Sequence, residues 1–424
     1  MKTKIILLLL IVFMFNGMRD ARELNELSIL SAVGVDIDEK GEYIITSQVL
    51  NTQKSGDSSG GSGGSSVVVY ETKRKSIHEA LRDTIEKVPN KLYIAHLELL
   101  LISEDAAKNN DIMDTIDFFL RDNEGGNNFM IVIAKDDKPQ EILSKLSAIS
   151  SDPAKSITES IESTYEYEAA STDYLLYDTL DMILNDKRTV VMASVSLDKH
   201  EDDSQNNKKE ESGESNSSSQ SSGSGSSGKD SEESDSGGDS PKEASSNMFK
   251  VTELAYFKDE RLEGYLEKSD AKIYNFIQNR LKSSVMSIDE DEDLIVVEIK
   301  EAKSTLTPRF EDDHFVIDID VKIEGTITET GKNVRDNISE KYEEYIQKLE
   351  DIMKGKIEDA IDNYKNKYNE DIVGFEDLIY KKLNSKYKEI EDDFKNKYFK
   401  NIVANVNVEL KLPQQGGDMV DATK

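Results

Sequence analysis

The sequence predicts an α+β fold, in which mixed sheet is packed with helices, and three observations carry that expectation. Strands of period two and helices of period 3.6 follow one another along the chain without regular alternation. At 424 residues the chain exceeds one ordinary domain, so two or three are expected. Apolar residues make up 37 % of it, enough for packed cores, yet residues 201–248 hold almost none of them.

The elements follow in order. Leu27 to Val35 and Glu42 to Leu50 read as strands joined by the polar turn Asp36-Ile37-Asp38-Glu39-Lys40-Gly41. Residues 51–66 are a Gly/Ser-rich loop, and Val67 to Thr72 resumes a strand. Ser76-Ile77-His78-Glu79 fits a capping box, in which hydroxyl and carboxylate cover free N–H groups at a helix start. Ile77, Leu81, Ile85 and Val88 give that helix its apolar stripe, and Pro89-Asn90 ends it. Leu92 to Ile102 is a strongly apolar strand, Asp111 to Arg121 a helix and Phe129 to Ala134 a buried strand. Pro139 and Pro153 each open a helix at its first position, where the missing N–H costs nothing. Thr172 to Leu184 is amphipathic and Thr189 to Leu197 a strand.

Residues 201–248 carry twelve acidic and four basic side chains among Ser and Gly. Such a segment cannot bury enough surface to offset its ordering entropy, which predicts a disordered insert. Phe249 to Phe257 and Arg261 to Leu266 flank Lys258-Asp259-Glu260, a hairpin signal. Ala271 to Leu281 reads as a helix, and Leu294 to Ala302 and Phe315 to Thr328 as strands. Phe315, Ile317, Ile319, Val321 and Ile323 share one strand face. A long helix follows, with Ile338, Tyr342, Ile346, Leu349, Ile352, Met353, Ile357, Ile361 and Tyr364 recurring at three- and four-residue steps. Helices over 371–382 and 385–398 and a strand from Ile402 to Leu412 complete the reading.

The formal net charge of −32 opposes binding to phosphate backbones and anionic lipid heads, so no nucleic-acid partner is expected. With no cysteine there are no disulfides, thiolate nucleophiles or Cys-type zinc sites. Lys2 and Lys4 precede an unbroken apolar run from Ile5 to Phe15. That run suits a signal-peptide core and falls short of the roughly 20 residues of a spanning helix. Residues 1–17 are therefore expected to be a signal peptide.

Catalytic patterns fail one by one. His78-Glu79 begins a zincin-like motif, but Arg82 stands where the second ligand belongs. Gly60-Gly61-Ser62-Gly63-Gly64 matches a nucleophile elbow only by composition, since no strand and helix flank it. Asp36 to Gly41 resembles the start of a calcium loop, yet Lys40 replaces a ligand and Ser47 stands where the bidentate Glu should be. The run Asp289-Glu290-Asp291-Glu292-Asp293 reads as an acidic loop. The four histidines, His78, His96, His200 and His314, form no convergent set with acids. No catalytic residue, cofactor or metal is expected, and no enzyme.

Four stretches carry a family resemblance. They are Arg22-Glu23-Leu24-Asn25-Glu26-Leu27 leading into Val33-Gly34-Val35-Asp36, and Ala95-His96-Leu97-Glu98 with Arg121-Asp122 downstream. The others are Ala255-Tyr256-Phe257-Lys258-Asp259-Glu260-Arg261-Leu262-Glu263-Gly264-Tyr265-Leu266 and Asp371-Ile372-Val373-Gly374-Phe375. In order and spacing the chain resembles the Ger(x)C family, the C subunits of spore germinant receptors. The motif positions are Arg22, Glu23, His96, Arg121, Asp122, Gly264, Asp371, Gly374 and Phe375. The family is usually lipidated on a cysteine after the apolar run; here Met18 stands at that position and has no thiol to acylate.

The resemblance implies three modules, and element breaks place them at 19–185, 186–266 and 267–412, with the insert in the second and a tail at 413–424. It implies a non-enzymatic accessory subunit at the outer face of the spore inner membrane. Its partners would be integral-membrane A-type and B-type subunits, with peripheral attachment to the membrane. The alternatives are an extracytoplasmic solute-binding protein, which usually has two similar βαβ lobes not apparent here, and a surface hydrolase.

Loop-closure cost grows slowly with length. Deleting residues 204–245 is therefore expected to leave the thermal unfolding midpoint within a few degrees of the parent's. Scanning calorimetry of the two proteins checks this.

Overall fold

The computed structural model describes residues 27–50, 67–88, 90–122, 126, 128–145, 152–198, 249–290 and 293–413. The expected signal peptide, the Gly/Ser loop, the acidic insert and residues 414–424 of the tail lie outside them.

The first half is built on one sheet. Its strands are β1 (Leu27–Ile37), β2 (Tyr43–Leu50), β3 (Val67–Arg74), β4 (Lys91–Tyr93), β5 (Leu99–Ser103), β6 (Met130–Ala134), β7 (Val191–Leu197), β8 (Phe249–Val251), β9 (Leu254–Lys258) and β10 (Arg261–Leu266). They run in the order β10-β9-β7-β6-β5-β1-β2-β3, with β4 beside β1 and β8 beside β7. The central pairs β1–β5, β5–β6 and β6–β7 are parallel, and the outer β1–β2, β2–β3, β7–β9 and β9–β10 pairs antiparallel.

Every residue of β5 and β6 is buried, as a strand covered on both faces requires. Leu99, Leu101, Met130 and Val132 pack under α4 (Pro139–Leu143) and α5 (Pro153–Glu168), against Ile142, Ile157 and Ile161. On the opposite face, Leu100, Ile102, Ile131 and Ile133 meet α1 (Ile77–Lys87) and α3 (Ile112–Arg121) through Leu81, Ile116 and Phe119. Two further helices, α2 (Glu104–Asn109) and α6 (Leu176–Ile183), complete this half.

The second half has its own sheet of β11 (Ser284–Glu290), β12 (Asp293–Glu311), β13 (His314–Thr330) and β14 (Val403–Lys411), in that order. The face predicted for β13 is the buried one, with Phe315, Ile317, Ile319, Val321 and Ile323 almost fully enclosed. The long helix α8 (Lys332–Asp362) covers it with Leu349, Met353 and Ile357. A π turn at Asn363–Tyr368, α9 (Phe375–Lys382) and α10 (Asn384–Ile390) follow. Between the two sheets lies α7 (Lys268–Ile277), in which Asp270, Ala271 and every residue from Ile273 to Ile277 are buried.

The α+β class therefore holds, and several local expectations change. The apolar run Leu92–Ile102 is two strands, because Leu97 N–H donates to the Ile94 carbonyl at 2.9 Å and jogs the chain between β4 and β5. Phe249–Phe257 breaks at Thr252, whose N–H reaches the Ser194 carbonyl at 2.9 Å and whose hydroxyl lies 2.6 Å from Ser194 Oγ. The helix expected from Thr172 begins only at Leu176. Ala169 and Ser171 instead present their carbonyls to α7, as detailed below.

Of the acidic run, Asp289 and Glu290 pair with Leu294 and Asp293 as the ends of β11 and β12. Helix α2 was not expected; its cap is Ser103, whose Oγ accepts from Ala106 N–H at 3.0 Å. The parallel β1–β5–β6–β7 strip, with helices between its later strands, also departs from the reading of no βαβ units. Strands buried on both faces lose the polar alternation that would have marked them.

Asp318 holds the three long strands of the second sheet together from the solvent side. Arg309 donates to it from Nε at 2.6 Å and Nη2 at 2.9 Å, and Asn405 Nδ2 from β14 at 3.1 Å. These donors hold its carboxyl down at about 2, with Arg309 the largest cause. A lowered carboxyl stabilises the fold fully above its unfolded value of 3.8, and that contribution is lost as pH falls through about 2. The parent is thus expected to melt above the Asp318→Asn variant by a constant margin at neutral and mildly acid pH. The margin closes between pH 4 and 2, as melting curves across that range will show.

Candidate functional site

The two sheets meet at a polar junction organised by α7. Asp270, only 2 % exposed, receives Asn363 Nδ2 at 3.2 Å on both carboxyl oxygens and Tyr368 OH at 2.6 Å. Tyr364 OH reaches the Asp270 carbonyl at 2.7 Å. Asn363 and Tyr368 are five residues apart, which an α-helix would splay by about 140°, whereas a π turn brings them onto one side. The helix irregularity is what lets both side chains reach one carboxyl group. Burial pushes the Tyr364 and Tyr368 hydroxyls up, so both stay protonated donors.

From its other flank α7 grips the first half. Asn275 Nδ2 donates at 2.8 Å to the carbonyls of both Ala169 and Ser171, and Tyr274 and Tyr174 join hydroxyls at 2.6 Å. Arg280 pairs with Asp173 and lies 4.2 Å from the Tyr174 ring centre. Gln278 Nε2 reaches the Val373 carbonyl at 2.7 Å, which ties α7 to the segment just before α9.

That segment holds three of the predicted motif residues. Asp371 caps α9: its Oδ1 accepts from Gly374 N–H at 3.0 Å and Phe375 N–H at 2.9 Å, and its Oδ2 from Glu376 N–H at 2.7 Å. Gly374 sits at φ +77°, a left-handed conformation that a side chain would strain. Phe375 is 1 % exposed and anchors α9 in the core. Burial pushes the Asp371 carboxyl up to about 7, against the pull of the Glu376 and Phe375 N–H groups.

Beside the cap lies a cleft of about 630 Å³ between the halves, walled by Lys187, Thr189, Glu370, Glu376, Tyr387 and Glu391, among others. Lys187 lines it, with its side chain 11 % exposed. It pairs with Asp186 at 3.0 Å and Glu391 at 3.3 Å, above the rings of Tyr380 and Tyr387. Burial pulls the Lys187 ammonium down, and its two acidic partners more than reverse this. Thr189 Oγ1 donates to Glu370 at 3.3 Å, Tyr387 OH to Glu376 at 2.7 Å, and Asn185 Nδ2 to Asp377 at 3.2 Å. Burial raises both Glu370 and Glu376. Three of these contacts cross the boundary, Lys187 to Glu391, Thr189 to Glu370 and Asn185 to Asp377, and clamp the two bodies together.

The other motif residues lie elsewhere. Gly264 faces Tyr256 in β9, and a Cβ there would stand 3.0 Å from the ring. The Tyr256 ring meets Tyr368 edge-on at 5.5 Å, so Gly264 supports the junction indirectly. His96 is exposed in the β4–β5 turn, with its ring 5.6 Å from that of Tyr93. Arg121, at the exposed end of α3, pairs with Asp117 at 2.7 Å, and Asp122 is the helix C-cap. Met18, Arg22 and Glu23 lie outside the described residues.

Arg82 Nε donates to His78 Nε2 at 3.2 Å, the position a second zincin ligand would take. Among the described residues no group of three His, Asp or Glu side chains could hold a metal ion. Sequence reasoning missed Lys187, Asp270, Asn275 and Arg280. The signal available for the middle two was a charged or amide residue on an otherwise apolar helix.

Replacing Asp371 by Ala leaves the Phe375 and Glu376 N–H groups at the start of α9 without their acceptor, while the Gly374 N–H keeps the Asp371 carbonyl at 3.3 Å. The expected cost is about 1–3 kcal/mol in urea unfolding, with Asp371→Asn intermediate because one acceptor oxygen remains. A loss below the error of the extrapolation would show that solvent replaces the cap.

Two family models match this chain in succession. One describes a spore germination protein N-terminal domain and covers residues 20–197; the other is spore germination B3/GerAC-like, C-terminal, and covers residues 252–416. Spore germination protein KC of Bacillus subtilis (strain 168) is 33 % identical over 162 residues, 38 % of this chain and 40 % of that protein. The alignment thus spans well under half of that relative's length. The crystal structure of the GerBC protein superposes on 93 % of this chain and 99 % of its own, with a TM-score of 0.49 and 16 % identity. With both halves matched in order by models of one family, the chain belongs to the Ger(x)C family of spore germination proteins.

Proposed function

We propose that this protein is the accessory C-type subunit of a nutrient germinant receptor, acting without catalysis at the outer face of the spore inner membrane. The observation that carries the reading is the ordered match of both halves to the spore germination models. The junction is consistent with it, since Glu391, Glu370 and Asp377 of the second half bind Lys187, Thr189 and Asn185 of the first. Among the described residues no helix is long and apolar enough to cross a membrane.

Attachment through integral A-type and B-type subunits follows from the same reading, because Met18 offers no thiol for a lipid. The modules at 19–185, 186–266 and 267–412 belong to this proposal too, with α7 as the first element of the third. The motif positions act mainly as scaffold, as Asp371 and Gly374 do in the α9 cap.

A second reading is favoured by one feature. The 630 Å³ cleft lies between two bodies, where solute-binding proteins hold ligands. Calorimetry with small nutrients separates the two readings, since a directly binding chain titrates with heat in isolation.

Spores carrying a tagged copy provide the main test. The protein is expected to co-purify with two integral-membrane proteins and to leave the membrane pellet in spores that lack them. Retention in the pellet through a high-salt wash, without those proteins, would show that its own N-terminal segment holds it. Normal nutrient germination in spores lacking this chain and any close copy would overturn the role itself.

A further inference from the structure

Helix α6 carries apolar side chains on two faces. Its inner face buries Leu176, Thr179 and Met182. Tyr177, Leu180 and Leu184 recur at three- and four-residue steps on the outer face. Leu184 continues the helix by one residue, its N–H donating to the Leu180 carbonyl at 2.9 Å. It is 72 % exposed and Tyr177 60 %, where a surface helix ordinarily presents polar groups.

The second half adds to this surface. Asn185, the residue after Leu184, donates to Asp377 of α9 at 3.2 Å. One turn further along α9 stands the exposed Tyr380, with Lys187 Nζ 5.1 Å from its ring centre. Exposed apolar side chains therefore stand on both sides of the boundary, next to the contact that joins them.

The charges here are layered. Asp181 pairs with Arg188, and Asp186 with Lys187. In both pairs the acid stands outward: the Asp181 and Asp186 side chains are 75 % and 84 % exposed, those of Arg188 and Lys187 27 % and 11 %. Asp181 lies four residues after Tyr177 and three before Leu184, so it shares their face. An approaching body meets carboxylates set among apolar side chains, with the cations beneath them.

That combination selects an occupant. Outward carboxylates repel anionic lipid heads and nucleic acid. A second copy in a two-fold contact would bring the patch against itself and set carboxylate against carboxylate. A segment with an apolar side chain between Lys or Arg residues matches both ingredients.

We infer that the outer face of α6, with Tyr380 beside it, docks a basic, apolar segment of another protein, which seats an apolar side chain on Leu184 and Lys or Arg on Asp181 and Asp186. A partner held there touches both halves at the place where they are joined. The inference concerns this surface alone and stands whether or not the partner is a receptor subunit.

Photo-cross-linking in intact spores tests it, with the full chain carrying Leu184→p-benzoylphenylalanine. The control is Tyr167→p-benzoylphenylalanine, at a comparably exposed position on α5. Irradiation is expected to join the Leu184 probe to another protein about tenfold more than the control, because a seated side chain is shielded from water. The attached peptide, sequenced by mass spectrometry, is expected to carry Lys or Arg within one helical turn of the modified side chain. No product above the control level overturns the inference. So does a cross-linked dimer of this chain, which would assign the surface to a second copy, or attachment to lipid, which would assign it to the membrane. An attached peptide without Lys or Arg overturns it as well.

A second measurement keeps the Leu184 probe and adds Asp181→Asn with Asp186→Asn. Exposed ion pairs contribute little to stability, so the melting temperature is expected to hold while the cross-linking yield falls several-fold. An unchanged yield overturns the inference.

Discussion

The buried carboxyl group of Asp270 constrains the rest of the molecule. A carboxyl removed from water costs several kcal/mol unless its oxygens are satisfied, and here Asn363 and Tyr368 satisfy them. Those residues can do so only through the π turn after α8, so the irregular end of the long helix and the polar residue of α7 imply each other. Fixing α7 then fixes Asn275, Tyr274 and Arg280, and through them the loop from Ala169 to Asp173. Two sheets that share no ladder are thereby set in one relation by a single helix of ten residues.

The chosen means matters for how the junction behaves. A purely apolar interface would tolerate sliding, because dispersion and hydrophobic burial are non-directional. Hydrogen bonds from Asn275 to two carbonyls, and from Gln278 to Val373, are directional, so a small displacement strands donors in a place without water. Lys187 adds a long-stemmed cation seated over two tyrosine rings. The arrangement favours one docked geometry over a continuum.

Much of the architecture was legible because local patterns survive where one face is wet. The inner face of β13 could be read residue by residue, since Asp320, Lys322 and Glu324 alternate with Ile319, Val321 and Ile323. The Asp259-Glu260 hairpin could be read from turn chemistry, and both residues take positive φ. Legibility failed where the chain is buried on all sides. Leu92 to Ile102 gave no hint of the jog that puts His96 in a turn, because apolar residues occupy both sides of it. The capping role of Asp371 was hidden inside a motif known by resemblance, although Asp three residues before Gly and four before Phe is a plausible helix start. Lys187 could not have been found at all, since its partners Glu391, Tyr380 and Tyr387 lie roughly two hundred positions away in a sequence that does not show contacts.

One rung of the first sheet has a use beyond stability. Leu197 at the end of β7 pairs antiparallel with Phe249 at the start of β8, so the chain leaves and re-enters the sheet at neighbouring points. The ladder closes that loop whatever the intervening residues are. A compact passenger whose own ends lie close together, such as a fluorescent protein, can replace part of residues 204–245 without asking the sheet to move. That would tether an optical reporter to the end of β7 and let the position of this protein be followed in a spore as it wakes.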